Sequence, residues 1–302
     1  MMTRYKKAFV FIINPVAGNR RHENIEQKIY SYFASTDIEP FIYPTQYAGH
    51  AAVICRQLVE QSSPSAIIAV GGDGTVNDVV NGIGLYGVPM GIIPRGSGNG
   101  FARHLGIPTS LEKVFTIIEK SYFTPVDLIR IGEKYSVNVS GVGFDALVAW
   151  RFQHRRSRGL RSYVRIAASE FFKYQPEEYE LLIDGKMSRQ KAFLISIANS
   201  SQFGNNILIS PKASVCDGYI DLCVISPFPK AAALGLLYKV LLRKTDCGPY
   251  LKITRAKKVQ IRQSGKFYHI DGEAMEGGTL LEAEIVQGAL QVIIPEQRKN
   301  LI

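Results

Sequence analysis

Four short apolar runs, each followed by a polar loop and a helical pattern of apolar residues, fill the first third of the chain. They span residues 8–13, 40–43, 66–70 and 89–94. Consecutive strand–loop–helix units imply a parallel sheet with right-handed crossovers, and continuous apolar runs are typical of strands buried on both faces. We therefore predict an α/β N-terminal domain with a doubly wound parallel sheet. Ligands of such sheets bind at the carboxyl ends of the strands.

The third unit carries the most distinctive loop, Gly71-Gly72-Asp73-Gly74-Thr75, between an apolar run and a helical pattern. Its glycines leave backbone N–H groups uncovered, and the start of a helix adds positive potential, so the turn suits a phosphate. A carboxylate such as Asp73 repels phosphates unless a metal or a proton intervenes. The alternative is a tight turn in which Asp73 or Thr75 caps the helix.

From about residue 123 the pattern changes to short runs rich in β-branched and aromatic residues, separated by turn signals. The predicted strands are 125–131, 135–139, 179–183, 191–198, 219–225, 257–262, 267–270, 280–285 and 290–294, with helices at 160–172 and 230–242. This pattern predicts a mainly antiparallel β C-terminal domain. The expected division is 1–124 for the α/β domain, 125–294 for the β-rich domain, and a return of about 295–302 to the first.

Composition limits the partners and the compartment. A net charge of +10 indicates an anionic partner: a nucleotide, an anionic lipid surface or a nucleic acid. The four cysteines form no C-x-x-C pair, and no apolar run approaches the length of a signal peptide core or a membrane span. These features favour a reducing cytosol. A basic run at 151–161 suggests a solvated face, with a lipid-headgroup surface or an anionic substrate as the alternative and nucleic acid third. The apolar stretch 231–244 suggests a buried helix, with a membrane-contacting helix as the alternative.

Several other functions lack the patterns that they require. The G-x-G-x-x-G match at 82–87 ends a helix instead of following a strand, so it indicates a helix C-cap and turn. There is no P-loop, and the five histidines have no metal-ligand spacing. No nucleophile and base can be paired for a hydrolase. Asp271-Gly272 taken alone indicates a hairpin turn.

Five ordered motifs together resemble the diacylglycerol kinase catalytic-domain family, in particular its soluble bacterial lipid kinases and their sphingosine and ceramide kinase relatives. They are Asn14-Pro15-x-x-Gly18, Gly71-Gly72-Asp73-Gly74-Thr75 with Asn77, Pro94-x-Gly96-Ser97-x-Asn99 with Ala102-Arg103, Asp217-Gly218, and Asp271-Gly272-Glu273. Two positions depart from the family pattern. Ser97 replaces the usual Thr and keeps the hydroxyl, and Gly100 replaces the usual Asp, so one acceptor is missing.

The resemblance implies an NAD-kinase-like first domain and a phosphotransferase that moves the γ-phosphoryl group of ATP to a lipid hydroxyl at the cleft between the domains. It implies Glu273 as the proton acceptor and Asp73 near the phosphates and metal. The implied nucleotide-binding residues are Asn14, Pro15, Val16, Ala17, Gly18, Thr45, Gly71, Gly72, Asp73, Gly74, Thr75, Val76, Asn77, Ser97 and Asn99. The implied Mg²⁺ ligands are Asp217 and, through their backbone carbonyls, Ser214 and Tyr219. Asp127 is expected to link that site to Asp73 through water.

Two alternatives remain open at this stage. An NAD kinase also uses a GGDG turn and a β-rich second domain, although the Ser97 loop and the late Asp271-Gly272-Glu273 fit the lipid kinases better. An inactive nucleotide-binding membrane module is the other, with Gly100 as its only support. The expected partners are a lipid substrate at a membrane surface, peripheral contact with the inner face of an anionic membrane, and a possible homodimer, with no nucleic acid. The expected role is in lipid metabolism and phospholipid biosynthesis.

Overall fold

The computed structural model describes residues 6–18, 24–155, 160–204, 207–232, 235 and 249–298, with only the backbone at 160 and 161. The chain divides into two compact units, unit 1 with residues Met1–Val126 and Gly288–Ile302, and unit 2 with residues Asp127–Gln287. Most of the predicted helix at 230–242, four residues of the basic run, His22 and Cys247 lie outside the described residues.

Unit 1 is built from strand–helix units in sequence order. Its elements are β1 (Lys7–Ile13), α1 (Ile25–Phe33), β2 (Ile38–Pro44), α2 (His50–Gln61), β3 (Ala66–Gly71), α3 (Asp73–Ile83), β4 (Met90–Pro94), α4 (Gly100–His104) and α5 (Leu111–Lys120). The strands are parallel in the order β2-β1-β3-β4. Every residue of β3 and β4 is buried, because both faces of these strands are covered. The predicted doubly wound α/β domain is confirmed.

Unit 2 is built mainly from antiparallel strand pairs. After β5 (Phe123–Ile131), its elements are β6 (Lys134–Ser136), β7 (Val139–Gly143), α6 (Phe144–Gln153), α7 (Leu160–Phe171), β8 (Glu177–Ile183), β9 (Lys186–Ala192), β10 (Leu194–Ala198), β11 (Gln202–Gly204), β12 (Ile207–Leu208), β13 (Ile220–Ile225), β14 (Leu251–Ala256), β15 (Lys258–Gln263), β16 (Phe267–Ile270), β17 (Glu273–Glu276) and β18 (Leu280–Ile293). Short 3₁₀ turns lie at Lys230–Ala232 and Glu296–Arg298. The chain passes from unit 2 to unit 1 within β18.

One sheet of unit 2 has the strand order β14-β13-β10-β7-β16-β17. A second group of antiparallel strands includes β18, β15, β8 and β9. Apolar side chains from both groups form one buried cluster, which includes Val142, Ile195, Leu222 and Ile261. A smaller cluster around Phe193 includes residues of the helical segments. The predicted mainly antiparallel β domain is confirmed.

Some predicted strand limits are wrong, and local hydrogen bonding explains the differences. The strand predicted at 135–139 is two strands, β6 and β7, because the backbone N–H groups of Val137 and Asn138 donate to the Asp271 carboxylate instead of a strand partner. The strand predicted at 191–198 belongs to β9 and β10, which Phe193 separates. The two strands predicted at 280–285 and 290–294 are one continuous strand, β18, and Gly288 bends it with φ +58°.

Candidate active site

The loops after β1 and β3 meet at the carboxyl edge of the unit 1 sheet. In the order β2-β1-β3-β4 the chain winds one way from β1 to β2 and the other way from β3 to β4, so the switch point lies between β1 and β3. There the Nδ2 of Asn14 donates to Thr75 Oγ1 at 3.2 Å, and the Val16 N–H donates to Asn14 Oδ1 at 3.1 Å. These contacts bring together two motifs that are 61 residues apart in the sequence.

Asp73 occupies the first position of α3, not the capping position. The N-cap is Gly72, in an extended conformation and without a side-chain capping bond, so the alternative of an N-capping Asp73 or Thr75 is wrong. The Asp73 Oδ1 accepts the Gly100 N–H at 2.7 Å, across the loops that follow β3 and β4. Gly100, where the family usually has Asp, therefore contributes a backbone donor beside Asp73.

Glycines allow the loops after β1 and β3 to approach the loop after β4 closely. A Cβ added to Gly96 would lie 2.6 Å from the Gly72 Cα, and one added to Gly18 would lie 2.1 Å from the Arg95 carbonyl oxygen. Asn99, in the left-handed region with φ +48°, closes its own loop: its Oδ1 accepts the Gly96 N–H at 2.9 Å, and its Nδ2 donates to the Gly96 oxygen at 2.8 Å. Side chains larger than hydrogen would separate these loops.

The remaining predicted nucleotide-binding residues divide into exposed and buried groups. Pro15, Val16, Gly18, Gly74 and Ser97 are exposed. Ala17 and Thr45 are partly buried, and the Thr45 N–H donates to the Ile13 oxygen at 2.7 Å, which fixes that loop beside the end of β1. Val76 and Asn77 are buried in unit 1, and the Asn77 Oδ1 accepts from Asn81 Nδ2 at 3.1 Å.

The predicted metal-site segment in unit 2 contains two carboxylates, those of Asp127 and Asp217, whose oxygens accept backbone N–H groups. The Asp127 Oδ2 accepts the Gly218 N–H at 2.7 Å, and the Asp217 Oδ1 accepts the Tyr219 N–H at 3.0 Å. Asp217 Oδ2 also pairs with Arg255, whose guanidinium carbon lies 4.2 Å from the centre of the Tyr219 ring. Among the described residues there is no cluster of three or more His, Cys, Asp and Glu side chains that could hold a metal.

The partly buried Cys216 thiol lies close to two carboxylates of this segment. Burial, and then the carboxylates of Asp127 and Asp217, raises the pKa of the Cys216 thiol to about 11. The Ser214 Oγ accepts the Cys216 N–H at 3.3 Å. Carboxylate oxygens are the ligands that Mg²⁺ prefers. In this structure the Asp217 carboxylate forms an ion pair with Arg255.

Asp271-Gly272-Glu273 forms the turn between β16 and β17. Asp271 and Gly272 have φ values of +49° and +86°, as a type I′ hairpin turn requires. The buried Asp271 carboxylate accepts the N–H groups of Val137 and Asn138 at 2.9 and 3.0 Å and the Ser136 hydroxyl. Asp271 is therefore an anchor of the turn.

Glu273 differs from Asp271 in its surroundings. Its side chain is 44% exposed, and its Oε2 lies 3.9 Å from the Nζ of Lys134. A carboxylate that reaches solvent at the end of an anchored turn can accept a proton from a bound hydroxyl. The Lys134 contact was missed, because no sequence motif connects residues that are so far apart.

The comparisons with known proteins cover both units. The family model "Diacylglycerol kinase catalytic domain" matches residues 8–131, and the model "YegS C-terminal NAD kinase beta sandwich-like domain" matches residues 138–294. A diacylglycerol kinase of Mycobacterium tuberculosis strain H37Rv is 30% identical over 76% of this chain and 77% of its own length. The chain belongs to the diacylglycerol kinase catalytic-domain family.

Other members of the family match over most of the chain. A diacylglycerol kinase of Bacillus subtilis strain 168 is 26% identical over 95% of this chain and 96% of its own length. Two solved structures named as diacylglycerol kinases of Bacillus anthracis strain Sterne share the fold. They have TM-scores of 0.76 and 0.70 at 21% and 20% identity, and each match covers 98% of this chain and 99% of the other. The resemblance inferred from the five motifs is confirmed. Within the described residues, no helix is long and apolar enough to cross a membrane.

Proposed function

We propose that this member of the family transfers the γ-phosphoryl group of ATP to the hydroxyl of a diacylglycerol-like or sphingoid lipid. Family membership supports kinase chemistry in general. The observation that supports the proposal most directly is a convergence at one sheet edge. The loop after β1 and the starts of α3 and α4 meet there through the Asn14–Thr75 and Asp73–Gly100 hydrogen bonds.

The nucleotide site is proposed for these loops because phosphoryl transfer depends on positioning and on neutralising phosphate charge. Exposed backbone around Gly74 at the start of α3, with the helix dipole, favours an anionic group. The hydroxyls of Thr45 and Ser97 add donors at the same edge. Asp73 is then a residue that organises phosphates and metal, not the base.

Glu273 is proposed as the proton acceptor. The lipid hydroxyl oxygen forms the new bond to the γ-phosphorus, its proton passes to the Glu273 carboxylate, and the bond to ADP breaks. Mg²⁺ would neutralise phosphate charge, with Asp217, Ser214 and Tyr219 as its proposed protein ligands and Asp127 beside them. The support is the pair of carboxylates next to Gly218 and Tyr219, those of Asp127 and Asp217.

Peripheral contact with an anionic membrane is part of the proposal. The net charge of +10 favours such a surface. On or next to α7, Val164 and Phe172 are 55% and 66% exposed. Exposed apolar side chains in a basic chain suit an interfacial contact.

A substrate panel tests the proposed function. Labelled ATP, Mg²⁺ and the chain are incubated with diacylglycerol or sphingosine in mixed micelles, with the same lipids in anionic vesicles, and with NAD⁺, and products are identified by mass spectrometry. We expect a phosphorylated lipid, no NADP⁺, loss of turnover with EDTA, and salt-sensitive sedimentation with the vesicles. NADP⁺ formation would favour the NAD kinase alternative, and ATP binding without any product would favour an inactive module.

A further inference from the structure

Residues at both ends of helix α6 contact the hairpin that carries Glu273. The helix packs on β16 and β17, and the centres of the Trp150 and Phe267 rings lie 4.7 Å apart. At the last residue of α6, Gln153 Oε1 accepts the Ala274 N–H at 3.0 Å. In the first turn, Asp145 faces His269 of β16. Glu273 thus lies between Gly272 and Ala274, whose backbone N–H groups are held by the side chains of His269 and Gln153.

His269 connects Asp145 to the turn. Its Nε2 lies 3.1 Å from the Asp145 Oδ2, and its Nδ1 accepts the Gly272 N–H at 3.2 Å. Because Nδ1 accepts a hydrogen bond, the ring proton lies on Nε2 and is donated to the carboxylate. The imidazole therefore joins α6 to the residue that immediately precedes Glu273.

The site around Asp145 is built to hold a carboxylate away from water. Asp145 and His269 are only 8% and 2% exposed, and Ser196 is fully buried. The Asp145 Oδ1 accepts the Ala146 N–H at 2.9 Å, and the Oδ2 accepts the Ser196 hydroxyl at 3.3 Å. A buried carboxylate is tolerated only when such donors replace water. Gly141 leaves the space, since a Cβ there would lie 3.2 Å from the Asp145 Oδ2.

We propose that His269 is a positioning residue for Glu273, and that Asp145 fixes the tautomer that His269 needs for this role. With the proton on Nε2, Nδ1 can hold the Gly272 N–H and so fix the backbone next to Glu273. With the proton on Nδ1, two donors would face each other, and the turn would lose that contact. This inference rests on the proposed function, because it assigns Glu273 as the base.

Two substitutions separate the two contacts of the ring. His269→Asn keeps an acceptor near the position of Nδ1 and loses the contact with Asp145. His269→Gln keeps a donor near the position of Nε2 and loses the acceptor for Gly272. With rates normalised to the folded fraction, we expect His269→Gln to lower kcat about tenfold or more with an unchanged KM for ATP, and His269→Asn to lose less. Equal kcat values for the wild type and His269→Gln would overturn the proposal.

Nitrogen-15 NMR of the imidazole tests the tautomer without any activity assay. We expect Nε2–H in the wild type, and Nδ1–H in Asp145→Asn, because the amide oxygen remains on the Ala146 N–H and the amide NH₂ then faces Nε2. The Gly272 amide should also exchange faster with solvent in that variant. Nδ1–H in the wild type would overturn the proposal even if lipid phosphorylation is observed. An inactive wild type with the expected tautomer would count against the proposed function and leave the geometry intact.

Discussion

Asp73 and Asp271 illustrate how neighbouring groups assign different roles to one residue type. Asp73 lies partly exposed at the first position of α3 and accepts the Gly100 N–H at the start of α4. Asp271 is buried, and its carboxylate accepts two consecutive backbone N–H groups and a hydroxyl. The first is partly exposed at the carboxyl edge of the sheet, whereas the second is committed to the fold. Both residues lie in motifs that predicted the family, but the sequence predicted a role in the site only for Asp73.

At the same scale, His104 makes stability depend on pH. Burial, and then the nearby charge of Arg298, lowers the pKa of His104 to about 4, from an ordinary value of 6.5. The unfolded chain therefore binds a proton before the folded chain does. The stabilisation is complete above pH 6.5 and is lost as the pH falls toward 4.

We expect His104→Gln to reduce the slope of unfolding free energy against pH between 4.5 and 6 by up to one proton, about 1.4 kcal/mol per pH unit. Urea unfolding at several pH values measures this slope. The exposed His154→Gln is the control for replacing a histidine as such. A slope identical to that of the wild type in His104→Gln would contradict the account of this residue.

At the scale of elements, the close approach of two loops is the feature most sensitive to added volume. A methyl group on Gly96 would lie 2.6 Å from the Gly72 Cα and 2.9 Å from the Asn99 Oδ1. Gly74, in the same region, would meet nothing within 4 Å. Substitution of Gly74 by alanine is therefore a matched control for the same substitution at Gly96.

We expect Gly96→Ala to lower the free energy of unfolding by about 1–3 kcal/mol, because the loops must separate. Gly74→Ala should raise it by up to about 1 kcal/mol, because alanine favours the helix. Chemical denaturation of the two variants measures the difference. Equal effects of the two substitutions would mean that the loops are not in close contact.

The elements that the sequence predicted best are those whose pattern of apolar residues lies within the element itself. The apolar run at 66–70 is the buried strand β3, and the strand predicted at 267–270 is β16 with the same limits. Helix α6 was missed, because its apolar residues surround the helix axis and its N-cap is Gly143 without a capping side chain. The break between β6 and β7 was missed because it depends on Asp271, more than 130 residues away.

At the scale of the whole molecule, two units of different architecture carry the proposed chemistry. Unit 1 holds the loops with the predicted nucleotide-binding residues, and unit 2 holds Asp217 and Glu273. The order of the five motifs was sufficient to predict the family. The Asp145–His269 contact was beyond prediction, because it joins residues 124 positions apart that belong to no shared motif. The roles assigned to the site residues, including Asp217, remain predictions.

The most direct test of the central claim is the rate of phosphoryl transfer by Glu273→Gln, measured with labelled ATP and the lipid acceptor at saturating concentrations. We expect kcat to fall by about 10²-fold or more, with an ATP dissociation constant within about threefold of the wild type, because only proton transfer is removed. Glu276→Gln, an exposed carboxylate on the same hairpin, should retain the wild-type rate. A wild-type rate in Glu273→Gln would contradict the assignment of Glu273 as the base.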